Sequence, residues 1–391
     1  RGALHGIALD LGTSTVVLRL LDLATGEAVA DTSFENPQRF AGSDVMARIQ
    51  YAAEHGPEPL VGAITAYISR AITEFPVDPS TIYEVTVAGN STMRDLFFRK
   101  DVGPIGRSPY RSITEADVLE GRRATTALVD TGRGCGLPIN PDARVYGLPV
   151  ISGHVGADAA ACLLATGLAD GDRLAAVMDI GTNTEIIAGS RRRLVAASCP
   201  AGPAFEGGGV ACGMPALEGA AESVSIGGDG AFRLGVIGGG EAQGFCGSGL
   251  VDLLSELLRT GAMNEMGRFS GGARHIAIDA ARGLYIDERD VSELAQAKGA
   301  NAAGLRIVLG ALGVVAADLD VLYLAGGFGR SLPVEPAQRI GLIPGMPAAK
   351  VMPVGNAAIE GATIALLSLS RRRKLESIVS AVEHCRLETH P

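Results

Sequence analysis

The chain has 391 residues, with 34 basic and 43 acidic side chains and a formal net charge of −9. This length supports two or three domains. The acidic balance argues against nucleic acid as a partner, because phosphate backbones are bound by clustered Lys and Arg. The six cysteines form no CxxC pair, so no zinc or iron–sulfur site of the usual spacing is expected. No apolar run reaches the ~18 residues of a transmembrane helix, so we expect a cytoplasmic protein with reduced cysteines and no membrane partner.

An internal repeat is the most informative feature of the sequence. Residues 5–34 and 174–199 each read as an apolar strand ending in Asp, a Gly-Thr turn, a second strand, a polar turn and a third strand. Asp10 and Asp179 hold matching places in the two copies. The repeat therefore predicts two β-meanders that begin two related halves of the chain.

Alternating helical and strand patterns follow each meander. In chain order they predict helices near 42–54 and 57–75, a strand at 85–88, helices near 155–166, 249–260 and 291–317, a strand at 321–324 and a helix near 356–369. Residues 99–148 show little periodicity and are expected to be an insertion in the first half, and further insertions are expected at 207–245 and 262–289. Two β-β-β-α-β-α halves predict an α/β fold of the duplicated RNase H-like type. We expect one lobe at 1–170, a second at 171–391, and a nucleotide cleft between them.

The two Asp-x-Gly-Thr hairpins carry the residue types that a phosphate site needs. Glycine permits a tight turn with positive φ, and the hydroxyl and N–H groups that follow are phosphate donors. Because carboxylates repel a polyphosphate, Asp10 and Asp179 are expected to hold Mg²⁺ through water. The predicted phosphate-binding residues are Gly12, Thr13, Ser14 and Thr15 in the first hairpin and Gly181, Thr182, Asn183 and Thr184 in the second.

Three further glycine-rich segments are candidates for the remaining nucleotide contacts. Adjacent glycines after the strand at 321–324 would let a flat ring approach the backbone. Pro203 suits the first turn of a helix whose N-terminus faces anions. An ordinary strand-to-helix turn explains the clusters at 246–249 and 325–329 equally well. The candidate residues are Gly202, Glu206, Gly247, Ser248, Gly326, Gly327 and Phe328.

Three residues are candidates for orienting the water that attacks the terminal phosphate. They are Asn90 after the strand at 85–88, His154, and Asp158 at the start of the small-residue helix. Asn90 cannot act as a base, but it can orient a water or cap the helix that follows. A lone histidine such as His154 is as often structural as catalytic.

Longer strings resemble a known family. The two hairpins, the Ala-Gly-Gly turn and the two small-residue helices resemble the actin, sugar-kinase and heat-shock chaperone (ASKHA) ATPases. The strings ENPQ with GSDV, AGNSTM, GHVGAD, AGPAFEG, CGSGL, AKGA and VGNAA narrow the similarity. Together they resemble the C-terminal ATPase portion of the reductive activators of corrinoid proteins (RACo and RamA type), over about residues 4–391.

The resemblance implies an activity and its partners. Such proteins use ATP, with Mg²⁺, to drive reduction of a Co(II) corrinoid to the Co(I) nucleophile of methyl transfer. Family members usually carry an N-terminal 2Fe–2S domain with four cysteines, and this chain has no such set. The expected partners are therefore a corrinoid protein and an iron–sulfur donor, on a missing domain or a separate protein. The family also implies a homodimer.

Two other functions stay open at this point. A small-molecule kinase for a sugar or acyl substrate would need a carboxylate base beside the acceptor hydroxyl, and none is assigned. A nucleotide-controlled, actin-like assembly protein is compatible with the residues themselves. ATPase stimulation by a corrinoid protein or by a sugar, and sedimentation with ATP, distinguish the three functions.

Overall fold

The structure, a computed structural model, describes residues 3–327 and 331–387. Its elements as far as residue 173 are β1 (His5–Leu11), β2 (Thr15–Asp22), β3 (Ala28–Glu35), α1 (Val45–His55), α2 (Glu58–Thr73), β4 (Ile82–Gly89), α3 (Ser91–Phe97), α4 (Ile113–Leu119), β5 (Leu128–Thr131), α5 (Gly132–Cys135), β6 (Arg144–Gly147) and α6 (Ala157–Thr166). The later elements are β7 (Ala175–Ile180), β8 (Thr184–Ser190), β9 (Arg193–Cys199), β10 (Ala220–Ile226), β11 (Phe232–Val236), β12 (Gly244–Phe245), α7 (Gly247–Arg259), β13 (His275–Asp279), β14 (Leu284–Asp287), α8 (Glu288–Leu312), β15 (Val321–Ala325), α9 (Val334–Arg339), β16 (Val351–Gly355), α10 (Ala357–Leu367), α11 (Leu369–Val379) and β17 (Glu383–His384). Within these described ranges, no helix combines the length and apolarity needed to cross a membrane.

The first meander begins a six-stranded sheet with the order β3-β2-β1-β4-β6-β5. β1 is antiparallel to β2 and parallel to β4, and β4 is parallel to β6. β1 is central and almost continuously buried, as a strand covered on both faces must be, whereas the edge strand β3 is largely exposed. The central position of β1 fixes the place of the hairpin loop at its end.

The second meander begins a sheet with the order β16-β15-β7-β8-β9-β17. β15 is parallel to both β7 and β16. The order β9-β8-β7-β15-β16 therefore repeats the order β3-β2-β1-β4-β6 of the first sheet. The predicted duplicated α/β fold is confirmed.

The chain divides into two compact units, and the division differs from a single boundary near residue 170. The first unit comprises Arg1–Arg173, Gly189–Ala197 and Asn356–Arg386, and the second comprises Leu174–Ala188, Ser198–Gly355 and Leu387–Pro391. The C-terminal helix α10 lies in the first unit because it packs against β1, β4 and α6. The first unit is thus built from both ends of the chain.

The predicted insertions are more regular than their sequences indicate. Residues 99–148 contain α4, α5 and the strands β5 and β6, and β6 pairs with β4 in the first sheet. The strands β5 and β6 have four residues each. A strand of this length is too short to be recognised from an alternation of apolar and polar residues. Residues 207–245 hold the small sheet β11-β10-β12, and residues 262–289 hold the pair β13-β14.

The small-residue helices α6 and α10 pack closely against each other. A Cβ atom on Gly361 would overlap the backbone carbonyl of Ala161. Thr86 Oγ1 donates to the carbonyl of Ala362 at 2.8 Å and ties α10 to β4. Small side chains at this contact let the two backbones approach, so the composition of both helices follows from their packing.

The basic run at 371–374 is only partly solvated, although a run of like charges on a helix usually faces solvent. Arg372 is buried, and its guanidinium donates to Glu84 at 2.6 Å and lies 4.5 Å from the ring centroid of Tyr146. An opposite charge and an aromatic face together offset the burial of this cation.

We predict that Gly361→Ala destabilises the protein by about 1–3 kcal/mol, because the added methyl meets backbone that cannot move aside. Gly62→Ala is the matched control: Gly62 lies in α2, and no described atom comes within 4 Å of the position that an added methyl would take. That change should stabilise the helix by about 0.5–1 kcal/mol. Thermal unfolding of both variants checks the prediction, and equal melting temperatures would contradict it.

Candidate functional site

The end of β1 places the Asp10 carboxylate beside a polar side chain from the other end of the chain. Asn356 Nδ2 donates to Asp10 Oδ2 at 2.7 Å. Asn356 Oδ1 accepts from the N–H of Ile359 at 3.0 Å and thereby caps α10. The neutral amide orients the carboxylate without cancelling its charge. Sequence reasoning did not assign Asn356, although it lies in the VGNAA string.

The loop after β1 is held through its carbonyl groups. Asn36 Nδ2 donates to the Gly12 carbonyl at 2.8 Å, Arg48 Nη2 to the Thr13 carbonyl at 2.7 Å, and the Asn36 N–H to the Ser14 carbonyl at 2.8 Å. In a planar trans peptide, the C=O and the N–H of the next residue point in opposite directions. The three bonds therefore direct the following N–H groups away from Asn36 and Arg48. Successive N–H groups on one side of a loop form an anion-binding concavity.

Arg48 is fully buried beneath this loop. Its other hydrogen bonds go to the Gly42 carbonyl at 3.2 Å, to Gln38 Oε1 at 3.4 Å and to the Sδ of Met93 at 3.1 Å. Burial lowers the pKa of Arg48 to about 10, against a smaller opposing effect of Asp44 and with a further lowering by Arg39. Arg48 therefore remains a cation at neutral pH. Sequence reasoning missed it because an arginine within a helical pattern usually marks a solvated face.

Gly12 is required for space and not for its backbone conformation. Its φ is not positive, so our expectation of a left-handed turn at this residue is wrong. A Cβ atom here would lie 2.5 Å from the carbonyl oxygen of Thr15, to which the Gly12 N–H donates at 3.1 Å. The chain reverses so tightly that no side chain fits at this position.

Asn90 caps a helix and contacts the phosphate loop. Its Oδ1 accepts from the N–H of Met93 at 3.0 Å, and its Nδ2 donates to Thr13 Oγ1 at 2.9 Å. The helix-capping alternative is therefore the one observed. Because both amide atoms are engaged, Asn90 supports Thr13, and its role in orienting water stays a prediction.

The other two water-positioning candidates have structural contacts of their own. His154 Nε2 lies 3.2 Å from the Ile105 carbonyl, and its ring centroid lies 5.3 Å from that of Tyr110. Asp158, in the first turn of α6, accepts from the N–H of Ala159 at 2.8 Å. These contacts orient both side chains within the first unit, and their catalytic role stays a prediction.

The second hairpin is held by a carboxylate. Thr182 Oγ1 donates to Glu206 Oε2 at 2.6 Å, and the Thr182 carbonyl accepts from the Gly202 N–H at 2.9 Å. The structure thus brings together three of the predicted nucleotide-binding residues. Residues 181–183 are half-buried, whereas Thr184 is fully buried. The first hairpin loop, in contrast, is held by amide and guanidinium groups.

The two glycines after β15 differ in what surrounds them. Gly326 has a φ of +92°, and a Cβ atom there would lie 2.5 Å from the Ile180 carbonyl and 2.9 Å from Asp179 Oδ1. The turn therefore packs directly on the end of β7. Gly327 does not have a positive φ, and no described atom lies within 4 Å of its would-be Cβ. Phe328 lies outside the described residues.

The first turn of α7 has a clear packing function. Ser248 is buried, and its Oγ lies 3.3 Å from the Sγ of Cys246. A Cβ atom on Gly249 would overlap the Ala221 carbonyl of β10. Gly249 thus lets α7 pack on the small sheet, and a nucleotide contact by Gly247 and Ser248 stays a prediction.

A cavity of about 340 Å³ lies in the second unit next to the segment that holds Thr182. Residues 200–204 and 208–209 form one part of its wall, and Glu293 and Gln296 of α8 contribute polar side chains. Pro203 precedes a single 3₁₀ turn there, which is shorter than the expected helix. Neither α8 residue was predicted from the sequence, because the AKGA string that follows Gln296 on this helix indicates family similarity and carries no chemistry of its own.

The carboxylates of the described residues do not form a closed metal cage. No group of three or more His, Cys, Asp or Glu side chains in residues 3–327 and 331–387 could hold a metal ion. Mg²⁺ keeps several waters and binds one or two carboxylates together with substrate phosphates. Asp10 and Asp179, each at the end of a first strand, fit this mode of binding.

Two sheets with one strand order, each opening with an Asp-x-Gly-Thr hairpin, define the fold class as ASKHA. Residues 173–391 match the family model described as the C-terminal domain of RACo, the ASKHA domain, and residues 5–171 match the RACo middle region. The chain therefore belongs to the RACo family, and the family resemblance predicted from the sequence is confirmed.

Three relatives illustrate this membership. The chain is 34% identical to the corrinoid activation enzyme RamQ of Eubacterium limosum, over 99% of this chain and 68% of RamQ. It is 28% identical to the [Co(II) methylated amine-specific corrinoid protein] reductase of Methanosarcina barkeri, over 94% of this chain and 71% of that reductase. A solved reductive activator for corrinoid, iron-sulfur protein matches with a TM-score of 0.88 and 32% identity, over 99% of this chain and 64% of that one. The chain thus spans about two thirds of the length of these relatives.

We predict opposite outcomes for substitutions at the two glycines after β15. Gly326→Ala should destabilise the protein by about 1–3 kcal/mol, because its Cβ meets backbone and its φ disfavours a side chain. Gly327→Val should leave the melting temperature almost unchanged but prevent nucleotide binding, since its side chain occupies the open space. Thermal unfolding and calorimetry with a non-hydrolysable ATP analogue check both outcomes. Unchanged affinity in Gly327→Val would move the nucleoside site elsewhere.

Proposed function

We propose that the chain binds and hydrolyses Mg-ATP and couples this to the reduction of Co(II) in a corrinoid protein to Co(I). The observation that carries the proposal is the match of both halves of the chain to RACo regions, together with the names of its relatives. The corrinoid protein is the partner and the Co(II) corrinoid is the substrate. The single electron comes from a low-potential iron–sulfur protein or domain outside this chain.

The residues of the first hairpin support the nucleotide half of the proposal. The loop carbonyls are bonded on one side, so the following N–H groups face the other way, where a phosphate group would accept from them. Asn356 holds the Asp10 carboxylate in one orientation, as a ligand for Mg²⁺-bound water would require. Mg²⁺, when bound, neutralises phosphate charge and polarises the terminal phosphate.

The second hairpin is the counterpart of the first hairpin in the proposed nucleotide-binding function. Its repeated sequence leads us to infer that this loop also binds phosphate, with Asp179 in the role of Asp10. Glu293 and Gln296 border a cavity that suits a ribose, because a carboxylate and an amide can both bond to hydroxyl groups. Gly327 leaves open space for the flat base.

Coupling requires that ATP favour one of two conformations of the protein. Corrinoid reduction becomes easier only if the ATP-favoured conformation binds Co(I) corrinoid protein better than it binds the Co(II) form. This differential affinity is the quantity that links hydrolysis to electron transfer.

We predict that Asp10→Ala and Asp179→Ala each lower the rate of Mg-ATP hydrolysis on the order of 100- to 1,000-fold, the scale of one lost electrostatic contact. The fold should persist, because both side chains are only half-buried. Steady-state phosphate release and circular dichroism measure the two effects.

Asp172→Ala is the matched control, since this exposed carboxylate pairs only with Arg191 and Arg192 in its described contacts. Its hydrolysis rate should equal that of the unchanged protein. Wild-type rates in both Asp10→Ala and Asp179→Ala would refute the proposed phosphate site.

We predict that the purified chain binds a Co(II) corrinoid protein in a nucleotide-dependent manner but does not reduce it alone. Adding a low-potential reductant with ATP should then produce the visible spectrum of Co(I). Light scattering measures the binding, and the same instrument reports whether ATP drives dimers or filaments.

The kinase alternative is tested in parallel with a panel of sugars and acyl substrates. Stimulation of ATP turnover by a sugar, with no binding of any corrinoid protein, would replace the activator function by a kinase function. Sedimentation of the chain with ATP would instead favour an assembly protein.

A further inference from the structure

Three arginines are buried in the part of the chain that the structure describes, and they differ in their partners. Arg94 pairs with Asp95 at 2.6 Å, and Arg372 pairs with Glu84 at 2.6 Å. Arg48 has hydrogen bonds only to carbonyl groups, a side-chain amide and a thioether sulfur, and no carboxylate of the described residues lies within ion-pair distance of it. Arg48 is thus the buried cation among the three that lacks an anion.

A buried cation without an anion is unfavourable, because its lost hydration is replaced only by dipoles. Burial accordingly lowers the pKa of Arg48. Asp44 acts on it only at longer range, and Arg39 opposes that effect. The protein therefore keeps at this position a charge that an incoming anion would stabilise.

The position of Arg48 identifies where that anion would bind. Its Nη2 donates to the Thr13 carbonyl at 2.7 Å, in the loop whose N–H groups face the opposite side. The same guanidinium donates to the Gly42 carbonyl and to Gln38, so it links the loop to the segment that precedes α1. A change in the rotamer of Arg48 would free the Thr13 carbonyl and let the peptide between Thr13 and Ser14 rotate.

We propose that Arg48 is a positioning residue for the phosphate groups of the nucleotide, and that these phosphates supply the negative charge it lacks. Arg48 acts through the loop: it orients the peptide between Thr13 and Ser14, and its field favours a polyanion on the far side of that peptide. The proposal rests on the proposed function, since it requires that this hairpin bind ATP.

A merely structural arginine would affect folding alone, so the test compares two ligands. Arg48→Met removes the charge at similar length, and Arg48→Lys keeps the charge but loses the planar fork. Arg372→Met is the matched control, a buried arginine of the same unit that pairs with Glu84. Calorimetry measures the dissociation constants of ATP and of adenosine, which has no phosphate, and thermal unfolding measures stability.

The expected result is a loss of ATP affinity of more than 10-fold in Arg48→Met, with adenosine affinity unchanged within 2-fold. Arg48→Lys should recover part of the ATP affinity. Arg372→Met should lower the melting temperature but leave the ATP affinity within 2-fold of the unchanged protein.

Two results would overturn the proposal: an unchanged ATP affinity in Arg48→Met, or equal losses for ATP and adenosine. If Arg48→Met does not fold, Arg48→Lys decides by the same comparison, and a loss of at least 2-fold for ATP alone supports the proposal. Failure of the unchanged protein to bind ATP would refute the proposed function instead, so the two failures are distinguishable.

Discussion

Three hydrogen bonds to successive carbonyl groups hold the first hairpin loop, and the chemistry of this half of the molecule depends on them. Asn36 and Arg48 supply the donors. A loop that is already ordered loses less conformational entropy when an anion binds to it. The residues that determine phosphate binding here are therefore partly ones that face the interior.

Two asparagines connect the start of a helix to the end of β1. Asn90 caps α3 and donates to Thr13, and Asn356 caps α10 and donates to Asp10. Each uses its carbonyl oxygen for the helix and its amide nitrogen for the site. Both follow a glycine at the end of a strand, so the Gly-Asn dipeptide is the local signal that they share. Helix placement and site geometry are in this way set by the same side chains.

The meanders, the fold class and the family were predictable because they depend on local pattern and repeated strings. The support of the site was not, because it depends on contacts between residues far apart in the chain. Asp10 and Asn356 are separated by almost the whole chain, and Arg48 and Arg372 read as solvated until tertiary packing buries them. The strands β5 and β6 are too short to show a recognisable hydrophobic pattern in the sequence.

The assignment of α10 to the first unit has a consequence for synthesis on the ribosome. The unit needs Asn356–Arg386, which leave the ribosome more than 180 residues after Arg173. At a translation rate of about 5–20 residues per second, α10 is synthesised roughly 10–40 s after the N-terminal part of the unit. During that interval the faces of β1, β4 and α6 that later contact α10 are uncovered. Nascent chains therefore present an apolar surface that chaperones would recognise, and the Asp10 site is completed only near the end of translation.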